Sequence, residues 1–257
     1  MRRWIKRLCL LLAILAIFGS GIAWWALQRA QQVPEFYTKA KQQMPVDLLA
    51  ASETLKLDVE KLQDSAAQPG SWLATFTEEQ INAWLVGELP KEFPRMLPAG
   101  VEEPRIVIEN DRILAAARLK NSHIDTVISL VLKVKLTQQA NVLAVRVEQL
   151  RAGSLPLPIQ RFLRGISAEA KKSNIDVVWD MDSAGPVALV SVPGEHPRFV
   201  TTPVIIESLA MQAGHVNLAG HSGPEAWDAY IPRSPTYQLA SARIVRKDQS
   251  HVASPPR

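Results

Sequence analysis

The sequence predicts an α+β protein with an N-terminal transmembrane helix, followed by helices packed on a curved antiparallel sheet of about eight strands with one helix inserted midway. The first observation is a run of twenty uncharged residues at 8–27. The second is the spacing of apolar residues, which is helical over 34–67, 75–90 and 158–172. The third is the strict alternation of apolar and polar residues over 104–153 and 175–220, which is typical of strands with one buried face.

The run at 8–27 is long enough to cross a bilayer, because twenty helical residues span about 30 Å. Arg2, Arg3, Lys6 and Arg7 precede it, whereas only Arg29 follows closely. Basic residues mark the cytoplasmic side, so we expect a cytoplasmic tail at 1–7 and an exported remainder. A cleaved signal peptide is the alternative, but its apolar core usually has about 7–15 residues. The length of this run favours a retained anchor.

The charge distribution disfavours nucleic acid as a partner. The net charge is +4, but five of the 29 basic residues flank the apolar run. The exported part then has 24 basic and 25 acidic residues, which gives it a net charge of −1. A nucleic-acid-binding domain needs a basic surface to offset the phosphate charge.

Residues 28–70 are predicted to form a juxtamembrane helical segment. Pro34 suits the start of a first helix, Asp47 can cap a second, and Gln68-Pro69-Gly70 ends it. These helices form either a stalk or the first layer of the exported domain, and their apolar stripes favour packing.

The exported α+β domain is predicted at 71–221. Thr77 and Gln80 have the spacing of a capping box at the start of a helix, and Trp84 shares the apolar face of that helix with Ile81 and Leu85, so we expect Trp84 in the core. Asn110-Asp111 predicts a hairpin turn, and the strand at 126–137 places Leu130, Leu132 and Val134 on one face.

A helix at 158–172 interrupts the strands. It carries an apolar stripe with Phe162 and Ile166, and basic residues on its other faces. Such a helix either lies on a membrane or covers a sheet, and covering a sheet is the commoner arrangement. About four more strands follow, and the Pro- and Ser-rich tail at 222–257 is predicted to be partly disordered.

The sequence gives no positive reason to propose an enzyme, a metal or a cofactor. Asp180 and Asp182 share one strand face with Asp176, which is also the pattern of a solvated surface. His215 and His221 stand about 20 Å apart along an extended strand, which is too far for one zinc ion. The recognised hydrolase, zinc-protease and phosphate-loop motifs are absent from the sequence.

Three segments carry a resemblance: VPEFY at 33–37, FTEEQINAWL at 76–85 and AGSLPLP at 152–158. With the basic start and the single span, residues 1–221 resemble an uncharacterised family of single-span bacterial envelope proteins. This resemblance implies an inner-membrane location with the main domain outside the cytoplasm, and it implies no activity. The order of the elements also resembles, more remotely, tubular lipid-binding domains, although fold does not imply function.

Two functions from different classes remain open. The first is a membrane-anchored protein that binds lipid or another apolar ligand between its sheet and the 158–172 helix. The second is a non-enzymatic envelope scaffold with a fully packed core that docks envelope proteins. For the first function the predicted lining consists of Trp84, Leu130, Leu132, Val134, Phe162, Ile166 and Trp179.

Overall fold

The computed structural model describes residues 28–94, 97–122, 124–172, 177–182, 185–192 and 203–224. The predicted span at 8–27, and the predicted tail beyond residue 224, lie outside these residues. Within the described part of the chain, no helix is both long enough and apolar enough to cross a membrane.

The helices are α1 (Glu35–Gln42), α2 (Leu48–Ala66), α3 (Glu78–Gly87), α4 (Leu89–Glu92) and α5 (Leu163–Lys172), with a 3-10 turn at Ile159–Arg161. The strands are β1 (Gly70–Thr77), β2 (Val101–Glu109), β3 (Arg112–Lys120), β4 (Asp125–Leu136), β5 (Val142–Ala152), β6 (Leu155–Pro156), β7 (Val177–Asp182), β8 (Gly185–Ser191), β9 (Val204–Gln212) and β10 (His215–Ser222).

The α+β class and the large antiparallel sheet are confirmed, but the strands divide into two sheets. Among the described residues, seven strands form a main sheet in the order β2-β3-β4-β5-β8-β7, with the short β6 beside β5. The other three form a small sheet in the order β1-β10-β9. The prediction of one sheet of about eight strands was therefore wrong in count and connection. It overlooked β1, whose alternation is only eight residues long and runs directly into the α3 capping box.

The helices predicted within residues 28–70 are present, and the first of them packs on the main sheet. The Asp47 side chain caps α2 by accepting a hydrogen bond of 3.0 Å from the Ala50 amide. Tyr37 of α1 is buried and forms one cluster with Ala116 of β3 and Val127 of β4. Packing, rather than a free stalk, is therefore the arrangement of α1.

Helix α3 covers the outer edge of β2. Its start is the predicted capping box, in which Thr77 and Gln80 exchange hydrogen bonds of 2.9 and 3.2 Å. The buried Asn82 side chain bonds both backbone groups of Ile106, and the Glu78 carboxylate accepts a hydrogen bond of 2.7 Å from the Ile108 amide. These contacts occupy backbone groups that an exposed edge strand would offer to another chain.

The small sheet is attached at the end of the main sheet where the β2–β3 and β4–β5 hairpins turn. Asn141, in the β4–β5 turn, donates to the Val204 carbonyl at 2.7 Å and accepts from the Ile206 amide at 2.9 Å. The Gly214 amide, in the β9–β10 turn, donates to the Ile108 carbonyl at 2.9 Å. Strand β9 therefore crosses this end of the main sheet.

The chain enters the domain at the opposite end of the main sheet. Residues 28–30 are helical, and the Arg29 carbonyl accepts hydrogen bonds from the Ser154 amide at 2.9 Å and hydroxyl at 3.1 Å. The Thr126 hydroxyl donates to the Ala30 carbonyl. Because β4 has 12 residues, the two ends of the sheet are about 35 Å apart.

Candidate functional site

The candidate site is one face of the main sheet, which is apolar across its width. Directly paired residues share a face, and one row of pairs joins Trp179, Ala188, Val145 and Val134 across four strands. A second row joins Val147, Leu132, Ile113 and Ile108. We call the residues of these two rows, together with Ile128 and Leu130 of β4, the apolar sheet face.

Much of the apolar sheet face is only half-buried. Along β4, the side chains of Ile128, Leu130, Leu132 and Val134 all keep part of their surface exposed. Full burial on this face is found at Ile108 of β2, at Ala188 of β8 and at Leu150 of β5, which pairs with Leu130. The centre of a seven-stranded sheet is normally the best-covered part of a domain, so the partial exposure of these β4 side chains indicates an apolar surface that is incompletely covered.

Helix α5 lies beside this face next to Trp179. The Trp179 indole donates a hydrogen bond of 2.7 Å to the Ser167 hydroxyl, which in turn donates to the Leu163 carbonyl at 3.0 Å. Leu163 and Ser167 are half-buried, so this side of α5 faces the sheet. Ser167 was not among the predicted lining residues, although its spacing of four residues from Leu163 places both on one side of a helix.

Phe162 and Ile166 keep much of their side-chain surface exposed. Phe162 is 42% exposed and Ile166 is 37% exposed, so neither is enclosed between the helix and the sheet. The 3-10 turn at Ile159–Arg161 has about three residues per turn, which shifts the register of the apolar stripe before α5 begins. The predicted stripe over 158–172 assumed one continuous α-helix.

Trp84 is separated from the other predicted lining residues. It is half-buried on α3, and its ring packs against Phe93 with 6.1 Å between ring centroids. Helix α3 lies at the β2 edge, whereas Trp179 lies on β7 at the other edge, five strand spacings or about 24 Å away across the sheet. The buried residues of α3 are Asn82 and Ala83, so the prediction that Trp84 is a buried core residue was wrong.

The opposite face carries a group of charges under α1. Lys41 forms an ion pair of 2.7 Å with Glu103, and the Tyr37 hydroxyl donates to the Glu103 carbonyl at 3.1 Å. Lys41 holds the pKa of Glu103 below its ordinary value, while burial raises the pKa of Tyr37. Arg105 is buried beside them, and burial lowers its pKa. These contacts hold α1 against β2. Because the group lies on the opposite face, it places no charge on the apolar sheet face.

The acidic and histidine residues weighed in the sequence do not assemble a reactive centre in the described residues. Asp182 forms a two-pronged ion pair with Arg146, and the Asp180 carboxylate accepts from the Met181 amide. His215 contacts Gln212, and His221 contacts Glu207 at 2.8 Å. Asp176 lies outside the described residues. Within the described part of the chain, no three His, Cys, Asp or Glu residues come together in a group that could hold a metal ion.

Comparison of the chain with protein-family models, with curated proteins and with solved structures gives no match.

Proposed function

We propose that this protein is a single-span protein of the bacterial inner membrane whose extracytoplasmic domain binds the acyl chain of a lipid on the apolar sheet face. The observation that carries the proposal is the half-buried row of Leu130, Leu132 and Val134 in the middle of the main sheet. Side chains of this kind gain free energy when a ligand removes them from water.

The direction of the apolar sheet face supports a lipid as the ligand. It runs along β4 from Ile128, near the end where residues 28–30 dock, to Val134, towards the end where β9 crosses, a distance of about 20 Å. A chain leaving the membrane beside the anchor would therefore meet a continuous apolar surface. Removal from water contributes about 0.8 kcal/mol per methylene, so ten methylenes contribute about 8 kcal/mol before the cost of association is subtracted.

The test uses the full chain purified in a mild detergent and extracted with organic solvent. Mass spectrometry of the extract should find phospholipid or fatty acid at a defined ratio to protein. A photoreactive acyl chain added to the membranes should crosslink to residues of β4 and β5.

Two variants on opposite faces of β4 are compared. Val134→Thr adds a hydroxyl on the apolar sheet face, whereas Val131→Thr makes the same change on the other face of the same strand. Val134→Thr should reduce co-purified lipid and crosslinking, and Val131→Thr should leave both unchanged. Absence of lipid in the extract, together with absence of crosslinks to β4 and β5, would refute acyl-chain binding.

A non-enzymatic envelope scaffold is the second candidate function. Exposed apolar side chains on α2 favour it, because Leu49 and Leu57 lie on the surface at 59% and 54% exposure. In that case Leu57→Glu should release a co-purifying envelope protein without changing lipid content. Val134→Thr should then have no effect on either.

A further inference from the structure

We propose that the end of the domain where residues 28–30 dock touches the bilayer surface through the side chains of Val33 and Ile124. This inference rests on the membrane anchor of the proposed function, and it states which part of the domain meets the lipid. The two residues are 52% and 48% exposed, although both are β-branched and apolar.

The docking contacts fix both residues close to the point where the chain enters the domain. Ile124 is two positions before Thr126, whose hydroxyl bonds the Ala30 carbonyl, so at most about 7 Å of chain separates them. Val33 is three positions after Ala30, or at most about 11 Å of chain. Residues 28–30 are helical, so the chain rises only about 3 Å between residue 28 and residue 30.

The docking cannot slide, because Gly153 packs directly against it. A Cβ atom at Gly153 would collide with the carbonyl groups of Arg29 and Ala30, and Gly153 has a φ of 58°. The end of the sheet is therefore held against the residues that follow the twenty-residue apolar run. Side chains at this end lie at the height of the head groups when that run spans the membrane.

The charges at this end suit a lipid surface. Lys120 ends β3 beside the turn that carries Ile124 and is exposed. The carboxylate of the adjoining Asp125 is held by Arg118 at 2.6 and 2.8 Å, so its negative charge is compensated. Apolar side chains beside a cation are also the combination with which amphipathic helices lie in the membrane interface.

The test places an environment-sensitive fluorophore at single cysteines in the full chain. Cys9 is the single cysteine of the sequence, so Cys9→Ala provides the background. Ile124→Cys and Val33→Cys are compared with Leu73→Cys, because Leu73 is 72% exposed on β1 of the small sheet at the far end. The protein is reconstituted into phospholipid vesicles that contain a fraction of nitroxide-labelled lipid.

Labels at 124 and 33 should show blue-shifted emission and at least about twofold quenching by the nitroxide lipid, as expected of interfacial residues. The label at 73 should show neither effect. Water-like emission at 124 and 33, equal to that at 73, would overturn the contact.

Carbonate washing of the same vesicles separates this inference from the proposed function. If the protein stays in the vesicles while the label at 124 remains in water, the surface contact alone is wrong. If the protein leaves the vesicles, the anchor is wrong and both proposals fail. Lipid extraction, measured independently, reports on the apolar sheet face.

Discussion

The side chain of Asn82 completes the backbone hydrogen bonding of Ile106. Its Nδ2 donates to the Ile106 carbonyl at 2.8 Å, and its Oδ1 accepts from the Ile106 amide at 2.8 Å. One amide side chain on a helix therefore substitutes for a neighbouring strand at the β2 edge.

Replacing Asn82 with alanine should destabilise the fold strongly. Asn82→Ala leaves the part-buried N–H and C=O of Ile106 without their side-chain partners, and each costs about 1–3 kcal/mol, so we expect a total loss of about 2–6 kcal/mol. Urea unfolding of the full chain measures this loss. Asn217→Ala is the matched control, because Asn217 bonds the exposed Thr75 hydroxyl, and it should cost less than about 1 kcal/mol. Equal losses for both variants would contradict the role of Asn82.

Asn141 attaches the small sheet, and two variants separate its conformation from its hydrogen bonds. Asn141 is buried with a φ of 58°. Asn141→Gly keeps the backbone conformation but loses the bonds to Val204 and Ile206, so hydrogen exchange at the Ile206 amide should accelerate. Asn141→Ala should lower the free energy of unfolding by about a further 1 kcal/mol, because alanine is strained in the left-handed conformation. Unchanged exchange in the glycine variant would show that β9 is held by other contacts.

A methyl group at residue 153 should detach the chain entry from the sheet. Gly153→Ala sets a Cβ atom against the Arg29 and Ala30 carbonyls, so the Ser154 amide should exchange faster and the 28–34 segment should become sensitive to protease. Gly214→Ala is the control. Its φ is 82°, but a Cβ atom there meets nothing within 4 Å, so only the cost of the backbone conformation, about 1 kcal/mol, should remain. Equal protease sensitivity in the two variants would argue against the docking contact.

The Lys41–Glu103 pair predicts a specific acid response. The folded pKa of Glu103 lies below its ordinary value of 4.5, so the pair contributes stability above that pH and loses it as the pH falls through the lower folded value. Both side chains are 41% exposed, so this contribution is at the small end of the range for ion pairs.

Lys41→Met should return the Glu103 pKa towards its ordinary value and flatten the loss of stability below pH 4.5. Carbon-detected NMR titration of the Glu103 carboxyl group measures the pKa directly. Lys39→Met, on the same helix, should leave the Glu103 pKa unchanged. A Glu103 pKa that does not rise in the Lys41 variant would show that the pair is not formed in solution.

The basic flank of the 8–27 run predicts an exported C-terminus. Alkaline phosphatase fused at the C-terminus should be active in a bacterial host, because this enzyme folds outside the cytoplasm. A fluorescent protein that folds only in the cytoplasm should be dark at the same position. An inactive phosphatase fusion together with a fluorescent C-terminal reporter would show that the C-terminus lies in the cytoplasm. Replacing Arg2, Arg3, Lys6 and Arg7 with neutral residues should weaken the preference.

Local chemistry accounts for what could be predicted from the sequence. The β4 strand was predicted from alternation alone, and the α3 start from Thr77 and Gln80, because these signals act within a few residues. The common face of Leu130, Leu132 and Val134 follows from the two-residue period of a strand. The continuous helix predicted over 158–172 was wrong at its start, where Ile159–Arg161 form a 3-10 turn and the α-helix begins at Leu163.

Pairing partners were decided by tertiary structure. Strands β9 and β10 alternate like those of the main sheet, yet β10 pairs with β1, which lies far away in the sequence, and Asn141 and Ile108 attach these strands to the main sheet. The incomplete burial of the apolar sheet face is also decided by the tertiary structure. The sequence by itself determines which residues turn to one side of a strand, since that depends on neighbours along the chain. Only the folded arrangement decides how much of that side is covered, since coverage depends on elements that the chain brings back from a distance.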